Sequence, residues 1–226
     1  MLMLRQGVRE YKARIAHIAG ILLTLILLFS LPISPATSAT PGGGPVAFLT
    51  FDCEGRGVPQ VLAALEAEHV NATMFLVGSW ALAHPALVRR MVTEGDALGN
   101  HSYSHPLFTT LSTAGVRSQI EQAQTAIRAS GGVSPRPRFR FSYGAGQGNP
   151  RLMSIVGADG SHAYYWTVDP QDWRGFSSAT IAQRVLNQTR AGSIVALHPA
   201  SPGTPGAVPA IINGLRARGY RFATLS

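Results

Sequence analysis

At 226 residues the chain has room for one domain of about 200 residues plus an N-terminal extension. A domain of that size builds its core without disulfide staples, and 46% hydrophobic residues exclude a disordered chain. Cys53 is the only cysteine, so no intrachain disulfide forms, and the net charge of +8 includes no basic run interleaved with stacking aromatics, which argues against a nucleic-acid partner.

The charge is unevenly spread. Arg5, Arg9, Lys12 and Arg14 against Glu10 give the first 40 residues +3, leaving +5 for the remainder, where every basic residue is Arg. An apolar run, 18–33, follows, then the small residues of PATSAT, with no formal charge between Arg14 and Asp52. Residues 1–39 therefore read as a secretory signal cleaved after Ala36 or Ala39, or as an uncleaved anchor. The run is short of the roughly 20 apolar residues a spanning helix needs unless Ile15–Ala19 are counted. On either reading the basic residues stay cytoplasmic and the rest is periplasmic or secreted, with membrane contact only through this segment. A short linker, 40–45, leads into a domain at 46–226.

Within that domain, strand-like runs occur at VAFLTF (46–51), ATMFLVG (72–78), DALGN (96–100), FRF (139–141), AYYWTV (163–168), SIVAL (193–197) and RFATL (221–225). Helix-period segments lie between them at 58–69, 84–95, 115–130, 179–189 and 207–219. Apolar strands alternating with amphipathic helices predict an α/β fold with a parallel sheet, a distorted (β/α) barrel of about seven strands.

Residues able to do chemistry stand at the ends of those strands: Asp52 after the first, His101 after DALGN, Arg140 within FRF, Asp172 after AYYWTV and His198 after SIVAL. In a parallel β/α fold these positions share the C-terminal face, where such folds place their sites. His101 and His105 are four residues apart, a spacing that puts two imidazoles on one side of a helical turn, as a zinc or similar ion requires. The Asp52–Cys53–Glu54 turn offers a third candidate ligand. Each feature also has a plainer reading: a solvated histidine pair, a hydrogen-bonded structural histidine at 198, a turn at Asp172–Trp173. Arg140 is harder to explain away, because a guanidinium in an apolar strand needs an anionic partner.

Taken in order, these segments resemble the polysaccharide deacetylase (NodB-homology) family. FLTFDCEG is similar to its T-F-D-D-G motif, EGDALGNHSYSHP to H-[ST]-x-x-x-H-P, FRFSYG to R-P-P-Y-G, WTVDPQDW to the D-W motif and IVALHP to the L-H motif, with a closing helix and strand in IINGLRARGYRFATLS. The resemblance implies hydrolysis of an acetyl group on an acetylated glycan, with a divalent metal as cofactor. It implies Asp52 as general base paired with Arg140, His101 and His105 as metal ligands, and His198 as general acid oriented by Asp172. Trp173 and Leu197 would wall the pocket for the acetyl methyl, and the Tyr143 backbone N–H would help bind the oxyanion.

The chain departs from the family where a metal-binding Asp is expected, because Cys53 stands there. A thiolate ligand would favour zinc over Mg²⁺ or Mn²⁺; the alternatives are Glu54 reaching in, or the histidines alone. Phe141 and Ser142 replace the prolines of the third motif. A non-catalytic glycan-binding relative and an amidohydrolase of a small acylated amine are the competing functions. An alkaline-phosphatase fusion joined after Thr40 is expected to be active outside the cytoplasm; an inactive fusion refutes export.

Overall fold

Strand β1 (Val46–Cys53) is the axis of the fold. Its alternate residues Ala47, Leu49, Phe51 and Cys53 join the core beneath the helices, while Thr50 and Asp52 face the barrel interior, where both meet Arg140. Burial on both faces explains the nearly unbroken apolar run, as expected of a central parallel strand. The computed structural model describes residues 43–226, so the signal or anchor assigned to residues 1–39 lies outside the described residues.

β1 is followed by α1 (Val58–Ala67), β2 (Thr73–Leu76), α2 (Gly78–Ala83), α3 (Pro85–Glu94), β3 (Ala97–Asn100), α4 (Thr113–Gly131), β4 (Arg138–Phe139), α5 (Pro150–Ala158), β5 (His162–Ala163), α6 (Ser178–Gln188), β6 (Ser193–Leu197), α7 (Thr204–Arg216) and β7 (Arg221–Phe222). The sheet order is β5-β4-β3-β2-β1-β6, every pair is parallel, and β7 pairs with the first residues of β1. The result is a curled, incompletely closed barrel with helices outside, the architecture the alternating pattern predicts.

The helices bury the stripe that their periodicity marks. In α1 the inward residues are Val58, Val61, Leu62 and Leu65, and α7 buries Ala207, Val208, Ile211, Ile212 and Leu215. Ser112 and Ser177 cap α4 and α6 by accepting backbone N–H bonds from Gly115 and Thr180. Two helices, α2 and α5, were not expected. The start of α5 is nonetheless legible: Asn149 accepts the Leu152 N–H at 3.1 Å and Pro150 opens the helix, a cap followed by a residue already at helical φ.

The AYYWTV run behaves differently from a simple strand. Only His162–Ala163 pairs with β4. Tyr164 still donates its N–H to Phe139, but its carbonyl accepts a bond from the Arg140 side chain, and the chain then crosses toward β6. There Thr167 and Val168 donate N–H bonds to Ile194, and Val168 makes a single parallel bridge with Val195. Among the described residues β5 and β6 share no strand ladder, so this crossing segment provides the closure.

Gly99 in β3 shows how tightly the interior is filled. A Cβ there would lie 2.5 Å from Cδ1 of Phe75, whose ring packs beneath the Arg140 guanidinium at 4.1 Å. Overpacking such a contact costs about 1–3 kcal/mol. Gly99→Ala is therefore expected to lower the thermal midpoint by roughly 2–12 °C, at about 2–4 °C per kcal/mol for a domain of this size; an unchanged melting curve refutes the account.

Candidate active site

The strand ends converge on a cleft of about 390 Å³ lined by Asp52, Glu54, His101, His105, Tyr143, Trp173 and His198, with Gly144, Trp166, Asp169 and Ala196 completing the wall. Its floor is an ion pair. Arg140 is fully buried and donates from Nη1 to Asp52 Oδ1 at 2.8 Å and to Thr50 Oγ1 at 2.9 Å, and from Nε to the Tyr164 carbonyl at 3.2 Å. Burial alone would raise the Asp52 pKa, but the charge of Arg140, then of His101 and His198, together with the Arg140 hydrogen bond, holds it down at about 2. Asp52 is therefore a carboxylate at any physiological pH.

Asp52 Oδ2 faces the cleft, 3.6 Å from His101 Nε2 and 3.8 Å from His198 Nε2. His101 Nδ1 lies 2.9 Å from the Arg140 carbonyl. A carbonyl only accepts, so Nδ1 carries the proton and Nε2 presents a lone pair. Burial lowers the His101 pKa to about 4 despite the opposing pull of Asp52, so the ring is neutral at neutral pH. His105 Nε2 approaches that lone pair to 3.2 Å. Either His105 donates a proton across the gap or a cation occupies it, and two imidazoles converging with one lone pair already free is a donor arrangement that fits a divalent metal. Among the described residues no three His, Cys, Asp or Glu side chains form a preformed ligand set.

The convergence of the two histidines does not come from a helical turn, as the spacing suggested. Residues 101–105 form a loop in which Ser102 and His105 adopt left-handed backbone at φ 70° and 56°. The loop is tied down by side chains: Asn100 Oδ1 accepts the Ser102 N–H, Ser102 Oγ accepts the His105 N–H, and Gln119 Oε1 accepts the N–H groups of Tyr103 and Ser104.

Across the cleft, His198 Nδ1 donates to Asp172 Oδ1 at 2.8 Å, leaving Nε2 toward Asp52. Asp172 is fully buried; its Oδ2 accepts the His198 backbone N–H at 2.7 Å and the Thr204 hydroxyl at 2.6 Å. Burial lowers the His198 pKa, but the Asp172 hydrogen bond and the charges of Asp52, Asp172 and Asp169 overcome it, and the net shift is upward.

Tyr143 and Trp173 stand at the cleft as expected, 68% and 59% exposed. Tyr143 has φ 58°, its ring lies edge-on to His105 at 4.5 Å, and among the described residues no acceptor takes its backbone N–H. Two expected residues are not brought to the cleft. Leu197 points into the core under the helices, because alternation along β6 gives the cleft face to Ala196. Cys53 is likewise on the helix side of β1, since Asp52 takes the cleft side; its Sγ lies 3.6 Å from the Phe51 carbonyl, and burial, then the charges of Asp52, Asp96 and Glu54, push the thiol well above its usual pKa. The Cys53–His101–His105 ligand set is thus not assembled. Thr50, Thr204 and Glu54 had no role in the sequence reading beyond the last as a fallback ligand; small hydroxyls carry no signal in one sequence.

The His198–Asp172 contact makes a direct prediction. Asp172→Asn removes both the hydrogen bond to the charged form and a nearby negative charge, so the His198 pKa is expected to fall, as read from imidazole NMR shifts against pH; an unmoved midpoint refutes the pairing.

Comparison with known proteins agrees with the geometry. A polysaccharide deacetylase family model matches residues 39–163. Over 184 residues the chain is 35% identical to the peptidoglycan-N-acetylmuramic acid deacetylase PdaC of Bacillus subtilis, covering 80% of this chain and 38% of that protein. It is 34% identical over 162 residues to a chitooligosaccharide deacetylase of Sinorhizobium fredii, covering 71% of this chain and 74% of the relative. The solved family 4 carbohydrate esterase from Streptomyces lividans, in complex with acetate, matches with a TM-score of 0.75 and 34% identity over 81% of this chain and 94% of that one. Some relatives are longer: the chain spans 61% of one curated protein and 38% of PdaC. On motif order, fold and site together, the chain belongs to the polysaccharide deacetylase family.

Proposed function

We propose that the protein is an exported, metal-dependent hydrolase that removes acetyl groups from N-acetylated sugars of a peptidoglycan- or chitin-like glycan. The observation that carries this is the opposition, across one cleft, of an ionised Asp52 and an Asp172-held His198 whose pKa is raised. The names of the relatives, peptidoglycan and chitooligosaccharide deacetylases, support the substrate class, and the basic-then-apolar N-terminus supports export.

Amide hydrolysis needs a nucleophilic water, polarisation of the carbonyl and a proton for the departing nitrogen. A divalent ion, held by His101 and His105, would supply the Lewis acidity. Asp52, fixed by Arg140, accepts the proton of the attacking water at Oδ2. His198 delivers a proton from Nε2 to the leaving amine, while Asp172 keeps Nδ1 protonated and the ring aimed. The Tyr143 N–H, with no acceptor among the described residues, is available to the oxyanion. Trp173 and Trp166 offer apolar surface beside it.

A His198 pKa above the ordinary value keeps the acid protonated to higher pH, so the alkaline limb of the activity profile lies above that of a free imidazole, and Asp172→Asn shifts that limb downward. Asp52→Asn and His198→Ala are each expected to reduce acetate release from N-acetylglucosamine oligomers by about 100-fold or more. Near-wild-type turnover in either variant refutes its role. Oligosaccharide binding without any acetate release from the wild type would instead identify a non-catalytic glycan-binding relative.

A further inference from the structure

With Cys53 turned into the core, the cleft still holds a carboxylate without an assigned task. Glu54 lies one residue past the end of β1, where strand alternation stops, and lines the cleft beside Asp52, His101 and His105. Its Oε2 is 3.6 Å from His105 Nδ1, and among the described residues its carboxylate makes no other ion pair. Asp52 is already engaged from below, where Arg140 holds its Oδ1 at 2.8 Å.

The two histidines are built alike. His101 has its Nδ1 engaged by the Arg140 carbonyl, so that Nε2 faces its partner. His105 has Nε2 toward the same point and Nδ1 toward Glu54. At 3.6 Å the Glu54 carboxylate stands just beyond hydrogen-bond length from Nδ1. A carboxylate on that side favours the tautomer with the proton on Nδ1 and the lone pair on Nε2, the arrangement of a metal-ligating histidine. Without that partner the His105 ring, which is less buried than that of His101, rests against His101 and Tyr143 with nothing among the described residues to engage its Nδ1.

The loop that carries Glu54 is packed closely against the segment after β6. A Cβ on Gly55 would lie 2.4 Å from the Ala200 Cβ, and one on Gly57 would lie 2.0 Å from the Pro199 carbonyl oxygen. The glycines let the loop after β1 lie flat on the segment following His198, and Glu54 stands at the rim of the cleft, partly exposed.

We propose that Glu54, not Cys53, is the residue following Asp52 that serves the metal site of this chain, as a positioning residue that holds His105 through Nδ1. The inference rests on the metal-dependent reading above, and its test does not require turnover. Metal-free full-length protein is titrated with zinc against a competing chelator. Glu54→Ala is expected to weaken zinc binding by about 10–100-fold, the usual cost of losing an outer carboxylate partner. Glu54→Gln, which keeps an oxygen acceptor without the charge, falls between that variant and the wild type, and Cys53→Ala binds as the wild type does.

Cobalt substitution separates direct from indirect action. Because Glu54 acts through His105, cobalt-saturated Glu54→Ala should keep the ligand-field spectrum of the wild type, and neither protein should show a thiolate charge-transfer band. Unchanged zinc affinity in Glu54→Ala overturns the inference and leaves the hydrolase reading standing. A changed cobalt spectrum in that variant makes Glu54 a direct ligand and overturns the positioning role; loss of affinity in Cys53→Ala returns the role to the thiol. Wild-type protein that binds no zinc overturns the metal-dependent reading along with this inference.

Discussion

A guanidinium sealed from water is the constraint around which this structure is arranged. Arg140 is wholly buried, with Phe75 4.1 Å and Trp166 5.7 Å from its charge centre. Such a charge is tolerated only when an opposite charge and hydrogen-bond acceptors surround it, and removing its partner costs about 3–5 kcal/mol. Asp52 and Thr50 of β1 supply two acceptors and the chain beyond β5 supplies a third. Thr50 in turn donates to the Val195 carbonyl of β6, and the Arg140 carbonyl receives the His101 ring. One residue thus fixes the base and joins the two sides of a barrel that strand pairing leaves open with its side chain, and orients a candidate ligand with its backbone carbonyl.

The fold was legible where burial alone decides conformation. The runs that form β1, β2, β3 and β6 are buried nearly throughout, because a strand covered on both faces must be apolar, whereas the other three runs supply only the two-residue strands β4, β5 and β7. The polar residues at strand ends were legible for the same reason: a charged or imidazole group interrupting such a run has few places to go. Alternation was harder to apply at the boundary. Cys53 and Leu197 each sit next to a site residue, yet a shift of one position along a strand reverses the face. Both residues were assigned from a motif, and strand geometry sends both into the core.

The histidine loop shows a different limit. A spacing of four suggested a helical turn, whereas the chain reaches the same convergence through left-handed residues. Ser102 and His105 in this loop, like Tyr143 and Gln171 elsewhere, have φ between 56° and 70°. Each such non-glycine residue costs of order 1–3 kcal/mol and persists only where its surroundings over-determine it. Gln119 reaching from α4 to the 103–104 amides is one of those surroundings, and no local pattern in the sequence reveals a contact across 15 and 16 residues.

The placement of Cys53 has a chemical consequence of its own. Reactivity of a cysteine depends on its thiolate and on access to it, and here burial suppresses both. The sulfur sits in the same layer as Val61, Leu62 and Val208, so an oxidant or alkylating agent meets it only when that layer parts. Its modification therefore reports the opening of the central core rather than the chemistry of the cleft a few ångströms away. A single thiol, silent in the native state, serves as an intrinsic gauge of how often the domain comes apart.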